Sequence, residues 1–273
     1  MNYNKTNQVH WDEAAIIHKD APKGYYNIEG FKNGDLSLKR IHIDELGDVK
    51  GKKILHLLCH IGLDTLSLAR LGAEVVGVDI SPKSIEIAKK LASESNLSAT
   101  FICSDVYNIT EILNDKFDIV FASHGVVCWL ENLNEFMKIA EGYLKPKGYF
   151  YLMDGHPISM IMTNEPDGKD LKVARPYYRD NQEPHYCEQS EDYANKEVLV
   201  DAPTYEWQYS LNEIVNAVCA RNLKLEYLHE FPFCDDNYYM NMEQDSEGWW
   251  RFKSGSVFPL MFSLKATKIS DVK

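Results

Sequence analysis

Short apolar runs in this chain are each followed directly by side chains able to bind or react: His56-Leu57-Leu58-Cys59-His60-Ile61-Gly62, then Asp79-Ile80, Ser104-Asp105-Val106, Ser123-His124 and Gly155-His156. If the runs are parallel strands of one open sheet, these stretches gather beyond its carboxyl edge, where such sheets bind ligands. Gly62 lets the backbone pass close to a ligand, and the helix after it presents free amides. Asp79 lies seventeen positions after Gly62 (79 − 62) and is placed to accept hydrogen bonds from both hydroxyls of a ribose. Asp105, one strand further on, can accept one from the amino group of an adenine. Two acids at successive strand ends suit a nucleoside.

His124 and His156 follow strands at the same edge and are the candidates for moving a proton, although a lone histidine is more often a hydrogen-bonded packing residue. His56, Cys59 and His60 have the softness for zinc, but they straddle a strand and a tight loop with no fourth ligand near in sequence, so no metal is expected. Cys59, Cys103 and Cys128 sit in or just after strands, where inert buried thiols are common. Together with Cys187, Cys219 and Cys234 they form no C-x-x-C pair and read as reduced and mostly buried.

The elements that must position these residues are legible between Lys53 and Asp154, where short β-rich runs alternate with amphipathic stretches. Strands are expected at 53–58, 74–78, 99–103, 117–122 and 149–153. Helices are expected over 63–71, closed by Gly72, from Pro82 with Ser81 as its cap, and over 133–144, closed by Pro146 and Gly148. From Gly155 to Thr204 the chain is rich in Tyr, Pro, Asp, Asn and Glu without helical period, which reads as an insertion. A strand-like Tyr205–Tyr209, a helix over 211–220 and strands at 224–231 and 258–267 complete the core. Residues 1–50 precede the first strand as helices over the ligand edge. Tyr25, Tyr26, Tyr177, Tyr178, Tyr186, Tyr193 and Trp207 suit a mixture of acceptor pocket and lid core. Trp249-Trp250 suits a cover, an interface or packing, and Glu188, Glu191 and Asp192 suit a solvated surface.

With 41 acidic and 29 basic residues the formal charge is −12, and no basic stripe is present, which argues against binding nucleic acid. No apolar run approaches the roughly 20 residues that span a bilayer, and the N-terminus is polar, so no membrane partner and a cytoplasmic location are expected.

With its strand-end residues in this order, the chain resembles the class I S-adenosylmethionine-dependent methyltransferases over about residues 50–155, and more loosely to its C-terminus. The stretch from Leu66 to Ser81 is close to that family's usual wording. The resemblance implies an α/β fold, a doubly wound, seven-stranded, mostly parallel sheet of the Rossmann-like type with an inserted lid after the fifth strand. It divides the chain into an N-terminal helical cover (1–50), a cofactor-binding core (51–154), an insertion over the acceptor site (155–204) and a C-terminal completion of the sheet (205–273). It implies S-adenosylmethionine as cofactor, held by His56, Leu58, Cys59, His60, Gly62, Asp79, Ile80, Ser104, Asp105, Val106 and Ser123. In the family the first strand ends in an acid and Gly-x-Gly-x-Gly; here His56 stands at the acid, Leu58 and His60 at the first two glycines and Gly62 at the third. Ser123-His124 would lie near the methionine part and the sulfonium. The implied activity is methyl transfer to an oxygen, nitrogen or carbon of a small molecule, with His124 and His156 as candidate bases. A protein of the same fold that binds the cofactor without turnover, or binds nothing, is one alternative. A nicotinamide-dependent oxidoreductase is the other, and Leu58 and His60 fit a pyrophosphate worse.

Overall fold

The computed structural model describes residues 2–21, 25–165, 170–178 and 183–270, so parts of the expected cover and insertion lie outside the described residues. The main sheet has seven strands, numbered here β1 (Lys53–Leu57), β2 (Glu74–Asp79), β3 (Thr100–Cys103), β4 (Phe117–Ser123), β5 (Leu144–Gly155), β6 (Leu223–Phe231) and β7 (Met261–Lys268). Their order across the sheet is β3-β2-β1-β4-β5-β7-β6, and β7 alone runs antiparallel to its neighbours. Order reverses between β1 and β4, which opens a crevice beyond their carboxyl ends.

Burial explains why the central runs are strands. β1 is buried from Ile54 to Leu57, and Leu55 pairs with Val76 on one side and Val120 on the other. Before the sheet come α1 (Tyr3–Lys19), α2 (Ile28–Lys32) and α3 (Arg40–Leu46); after β1 comes α4 (Leu63–Arg70). α5 (Pro82–Glu94) starts where Ser81 accepts a hydrogen bond from the Ser84 amide and Pro82 supplies a preset first turn, and Ile85, Ala88 and Leu91 share its buried face. α6 (Leu133–Tyr143) and α7 (Leu211–Cys219) cover the face carrying Val120, Phe150 and Leu264, while Trp249, at 1% exposure, packs on the opposite face with Phe121 and Tyr151.

Some expectations change. Residues Tyr205–Tyr209 do not join the main sheet: Thr204–Glu206 pairs with His185–Cys187 in a ladder of its own, and Trp207 is buried. Of the expected strand only Tyr205 and Glu206 are extended into that ladder, and residues 207–209 lie outside it. Among its described residues the insertion holds a 3-10 turn at Ser159–Ile161 and short two-stranded ladders, including Met162–Asn164 with Leu171–Val173. All six cysteines are free, yet only Cys59 and Cys234 are buried and Cys103 and Cys219 are exposed. Among the described residues no helix is long and apolar enough to cross a membrane.

Candidate functional site

A cavity of about 580 Å³ opens at the reversal of strand order. His56, Leu58, Cys59, His60, Gly62, Asp79, Ile80, Ser104, Asp105, Val106, Ser123 and His124 all line it. His156 does not. Its Nδ1 accepts from the Ile158 amide, its Nε2 lies 2.9 Å from Glu230 on β6, and it packs edge-on against Phe262, so it serves the far end of the sheet.

The loop after β1 keeps the backbone shape that glycines would favour without the glycines. Leu58 and His60 hold φ of 56° and 48°, in the left-handed region, and Gly62 holds 79°. A left-handed side-chain residue costs on the order of 1 kcal/mol, so the surrounding contacts must fix these two. Leu58 packs on the core, and the His60 ring is locked between His18 and Ser84. At Gly62 a Cβ would stand 2.8 Å from Ala88 Cβ and from the Phe101 ring, so that position accepts only glycine.

The two acids stand where a nucleoside could be held. Asp79 Oδ2 accepts from the His60 amide at 2.7 Å and Oδ1 from the Ser81 amide at 2.9 Å. Burial outweighs these amides and pushes its pKa up to about 6. Asp105 accepts from the Tyr107 amide and, at 2.7 Å, from Asn4 Nδ2 on α1. Gln8 Nε2 on the same helix donates to the Ile80 carbonyl. Asn4 thus presents to Asp105 the kind of amino donor that an adenine carries.

Two histidine relays flank the cavity. In the first, Asp192 Oδ2 accepts from His18 Nε2 at 2.7 Å, His18 Nδ1 lies 2.7 Å from His60 Nε2, and His60 Nδ1 lies 3.1 Å from Ser84 Oγ. Burial keeps His60 well below the ordinary histidine range. Asp192, expected on a solvated surface, is 3% exposed, because this histidine and the Ala194 and Asn195 amides occupy it. In the second, His42 Nε2 lies 2.8 Å from His124 Nε2, and His124 Nδ1 lies 3.3 Å from Asp235 Oδ2 without hydrogen-bond alignment. Burial would lower the His124 pKa, but the Asp235 carboxylate, with Asp64 and Asp154 beyond it, holds it above the ordinary value. Burial and the neighbouring His124 pull His42 down to about 3, so His42 stays neutral. Its Nδ1 stands 3.2 Å from the Lys39 amide and 3.3 Å from the Lys39 carbonyl, so either tautomer finds a partner.

Asp154, at the end of β5, shapes the loop that presents His124: its carboxylate accepts from the amides of Gly125, Val126 and Val127. Asp64 is held by the hydroxyls of Ser37 and Ser123. His56 Nδ1 bonds Thr65 Oγ1, and its buried Nε2 has no partner. Burial lowers its pKa to about 4, so it is a neutral imidazole with one free nitrogen. Acids outnumber bases around the cavity: Asp35, Asp64, Asp79, Asp105, Glu206 and Asp235 face Lys39. Tyr25, Tyr26 and Tyr193 line it as well, whereas Tyr177, Tyr178, Tyr186 and Trp207 do not. Asn4, His18, His42, Asp64 and Asp235 carried no signal in the sequence, since each finds its place through residues far away in the chain.

Residues 55–152 match the family described as a methyltransferase domain. Over 151 residues, 54% of this chain and 56% of the relative, the sequence is 36% identical to a ubiquinone biosynthesis O-methyltransferase of Bradyrhizobium diazoefficiens. The chain thus spans about half the length of the curated relatives it matches. An S-adenosylmethionine-dependent methyltransferase from Mesorhizobium loti has a similar structure, with a TM-score of 0.57 at 17% identity, over 87% of this chain and 100% of that one. So has an S-adenosylmethionine-dependent methyltransferase described as putative from Listeria monocytogenes, with a TM-score of 0.56 at 15% identity, over 84% of this chain and 96% of that one. At these identities the likeness of the structures establishes a shared fold.

Proposed function

We propose that this chain is a class I S-adenosylmethionine-dependent methyltransferase that transfers a methyl group from S-adenosylmethionine to a small molecule held in the cavity, a reading supported by the methyltransferase-domain match over residues 55–152. The observation that carries this reading is one cavity lined by Asp79, Asp105 and the loop Leu58–Gly62 with its left-handed Leu58, His60 and Gly62, and also by His124. The residues fit the cofactor. Asp79 would hold the ribose hydroxyls, Asp105 and Val106 the adenine, and the free Nε2 of His56 and the Asp64 carboxylate would face the methionine end.

When bound, S-adenosylmethionine supplies an electrophilic methyl group: one bond to carbon forms as the carbon–sulfur bond breaks, its electron pair staying on sulfur. The protein's work is alignment, exclusion of water and, for an acceptor that must lose a proton, a base. His124 is the base in this reading. Its ring lines the cavity with Nδ1 turned to Asp235, which stabilises the imidazolium that forms, and its Nε2–H donates to His42, whose tautomer adjusts. His156 has no part in it. α1 and the segment around Tyr193 act as cover, since Asn4, Trp11 and Tyr193 wall the cavity.

The test is to incubate the protein with methyl-labelled S-adenosylmethionine and a panel of alcohols, phenols, amines and carbon acids, following S-adenosylhomocysteine by mass spectrometry. Turnover with one acceptor class, reduced roughly 10²–10⁴-fold in His124→Asn, is expected. Turnover that His124→Asn leaves intact would remove the base, and tight cofactor binding without turnover on any acceptor would favour a non-catalytic protein.

A further inference from the structure

A second pocket of about 300 Å³ adjoins the first, and Gly125, Cys128, Met160, Asp235 and Tyr238 line both. Beyond that shared neck its walls are largely apolar, with Met162, Trp207, Ile214 and Met261 among them. The neck is different in character. Asp235 accepts from Tyr238 Oη at 2.9 Å and sits 3.3 Å from His124 Nδ1. On the wall of the same first cavity Tyr25 stands with its ring centroid 4.9 Å from that of Tyr26 and 5.0 Å from that of Tyr193.

We propose, resting on the methyl-transfer reading above, that the acceptor is an amphiphilic amine whose ammonium head sits at Asp235 among the tyrosines and whose apolar tail fills the second pocket. Asp235 lies on the wall of both pockets, and its carboxylate, which accepts from Tyr238, keeps lone pairs for an N–H donor. Tyrosine faces attract a cation through their negative quadrupole, and Tyr25, Tyr26 and Tyr193 line the cavity that Asp235 borders. An anionic head would instead be placed against the Asp235 carboxylate, with no free lysine or arginine on the cavity wall among the described residues to pair with it. Lys39, the one lysine or arginine on the cavity wall among the described residues, is engaged: its Nζ donates to the Gly248 carbonyl and lies 3.9 Å over the Trp249 ring. The ammonium gives one proton to the Asp235–His124 pair and keeps its place beside Asp235 as a neutral amine whose lone pair is then free to attack. The walls of the second pocket offer a tail methionine and tryptophan surface, worth about 0.8 kcal/mol per buried methylene.

The experiment is calorimetric titration of the protein saturated with S-adenosylhomocysteine, using octylamine, octanol, octanoate and ethylamine as probes. Octylamine is expected to bind at least about tenfold more tightly than octanol or octanoate, and about a hundredfold more tightly than ethylamine. Asp235→Asn, checked for an unchanged melting temperature, is expected to weaken octylamine at least about tenfold and to leave octanol unaffected. Should that variant unfold, Tyr25→Leu serves instead, with a loss of about threefold to tenfold for octylamine alone. Octanoate or octanol binding as tightly as octylamine, or octylamine affinity unchanged in the folded variants, would overturn the proposal. S-adenosylhomocysteine is titrated first: if it fails to bind, the methyl-transfer reading falls, whereas if it binds and no preference for the amine appears, only this proposal falls.

Discussion

Replacing Asp192 probes the relay that ties the insertion to the N-terminal helix, and the structure separates two substitutions. In Asp192→Asn the side-chain oxygen still accepts from the Ala194 and Asn195 amides, but an NH2 group now faces His18 Nε2. His18 can then only accept there, so its proton moves to Nδ1 and is donated to His60 Nε2. His60 in turn places its own proton on Nδ1, 3.1 Å from Ser84 Oγ. Every contact survives, and the cost is the difference between a charged and a neutral hydrogen bond, about 1 kcal/mol. Asp192→Ala leaves three donors without an acceptor at a position only 3% exposed, and should cost about 3–5 kcal/mol. At about 2–4 °C per kcal/mol for a chain of this size, the expected drops are roughly 2–4 °C for Asn and at least about 6 °C for Ala. Urea unfolding at pH 7.5 measures both costs, and the 15N shifts of the His18 and His60 rings report the tautomers. Equal costs for the two variants, or unchanged tautomers in Asp192→Asn, would refute the relay.

Gly62→Ala places a Cβ 2.8 Å from Ala88 and Phe101 in a left-handed residue; strain and overpacking together should cost about 2–4 kcal/mol, read by urea unfolding, and a cost under 0.5 kcal/mol would contradict the packing. Asp79 has its pKa pushed up to about 6, so its proton is held more tightly than in the unfolded chain and the carboxylate that receives ribose hydroxyls is lost as pH falls through 6. S-adenosylhomocysteine affinity should therefore fall about tenfold from pH 7 to pH 5, and a flat profile would sink the assignment. Asn4→Ala removes the donor that occupies Asp105 and should tighten S-adenosylhomocysteine by about twofold to tenfold in the same titration, whereas weaker binding would mean that Asn4 holds the ligand rather than competing with it.

Much of the fold was legible because local signals carried it. Alternation of strand and helix, the Ser81-Pro82 start and the Gly72 stop are read within a few residues, and they place Gly62, Asp79 and Asp105 at one edge. The relays were not legible. Asp192 and His18 are 174 positions apart, and His42 and His124 are 82 apart, so only the folded chain brings them together. His156 shows the converse: one residue past β5 it stands at the right edge, but it is turned to Glu230 and Phe262. A strand end fixes where a residue stands and leaves open which way its side chain turns.

The most direct measurement is isothermal titration of the protein with S-adenosylhomocysteine and with NADH, repeated on Asp79→Ala. Micromolar binding of the sulfur nucleoside, none of NADH, and loss of at least about tenfold in the variant are predicted. NADH bound as tightly, or S-adenosylhomocysteine bound equally well by Asp79→Ala, would contradict the account.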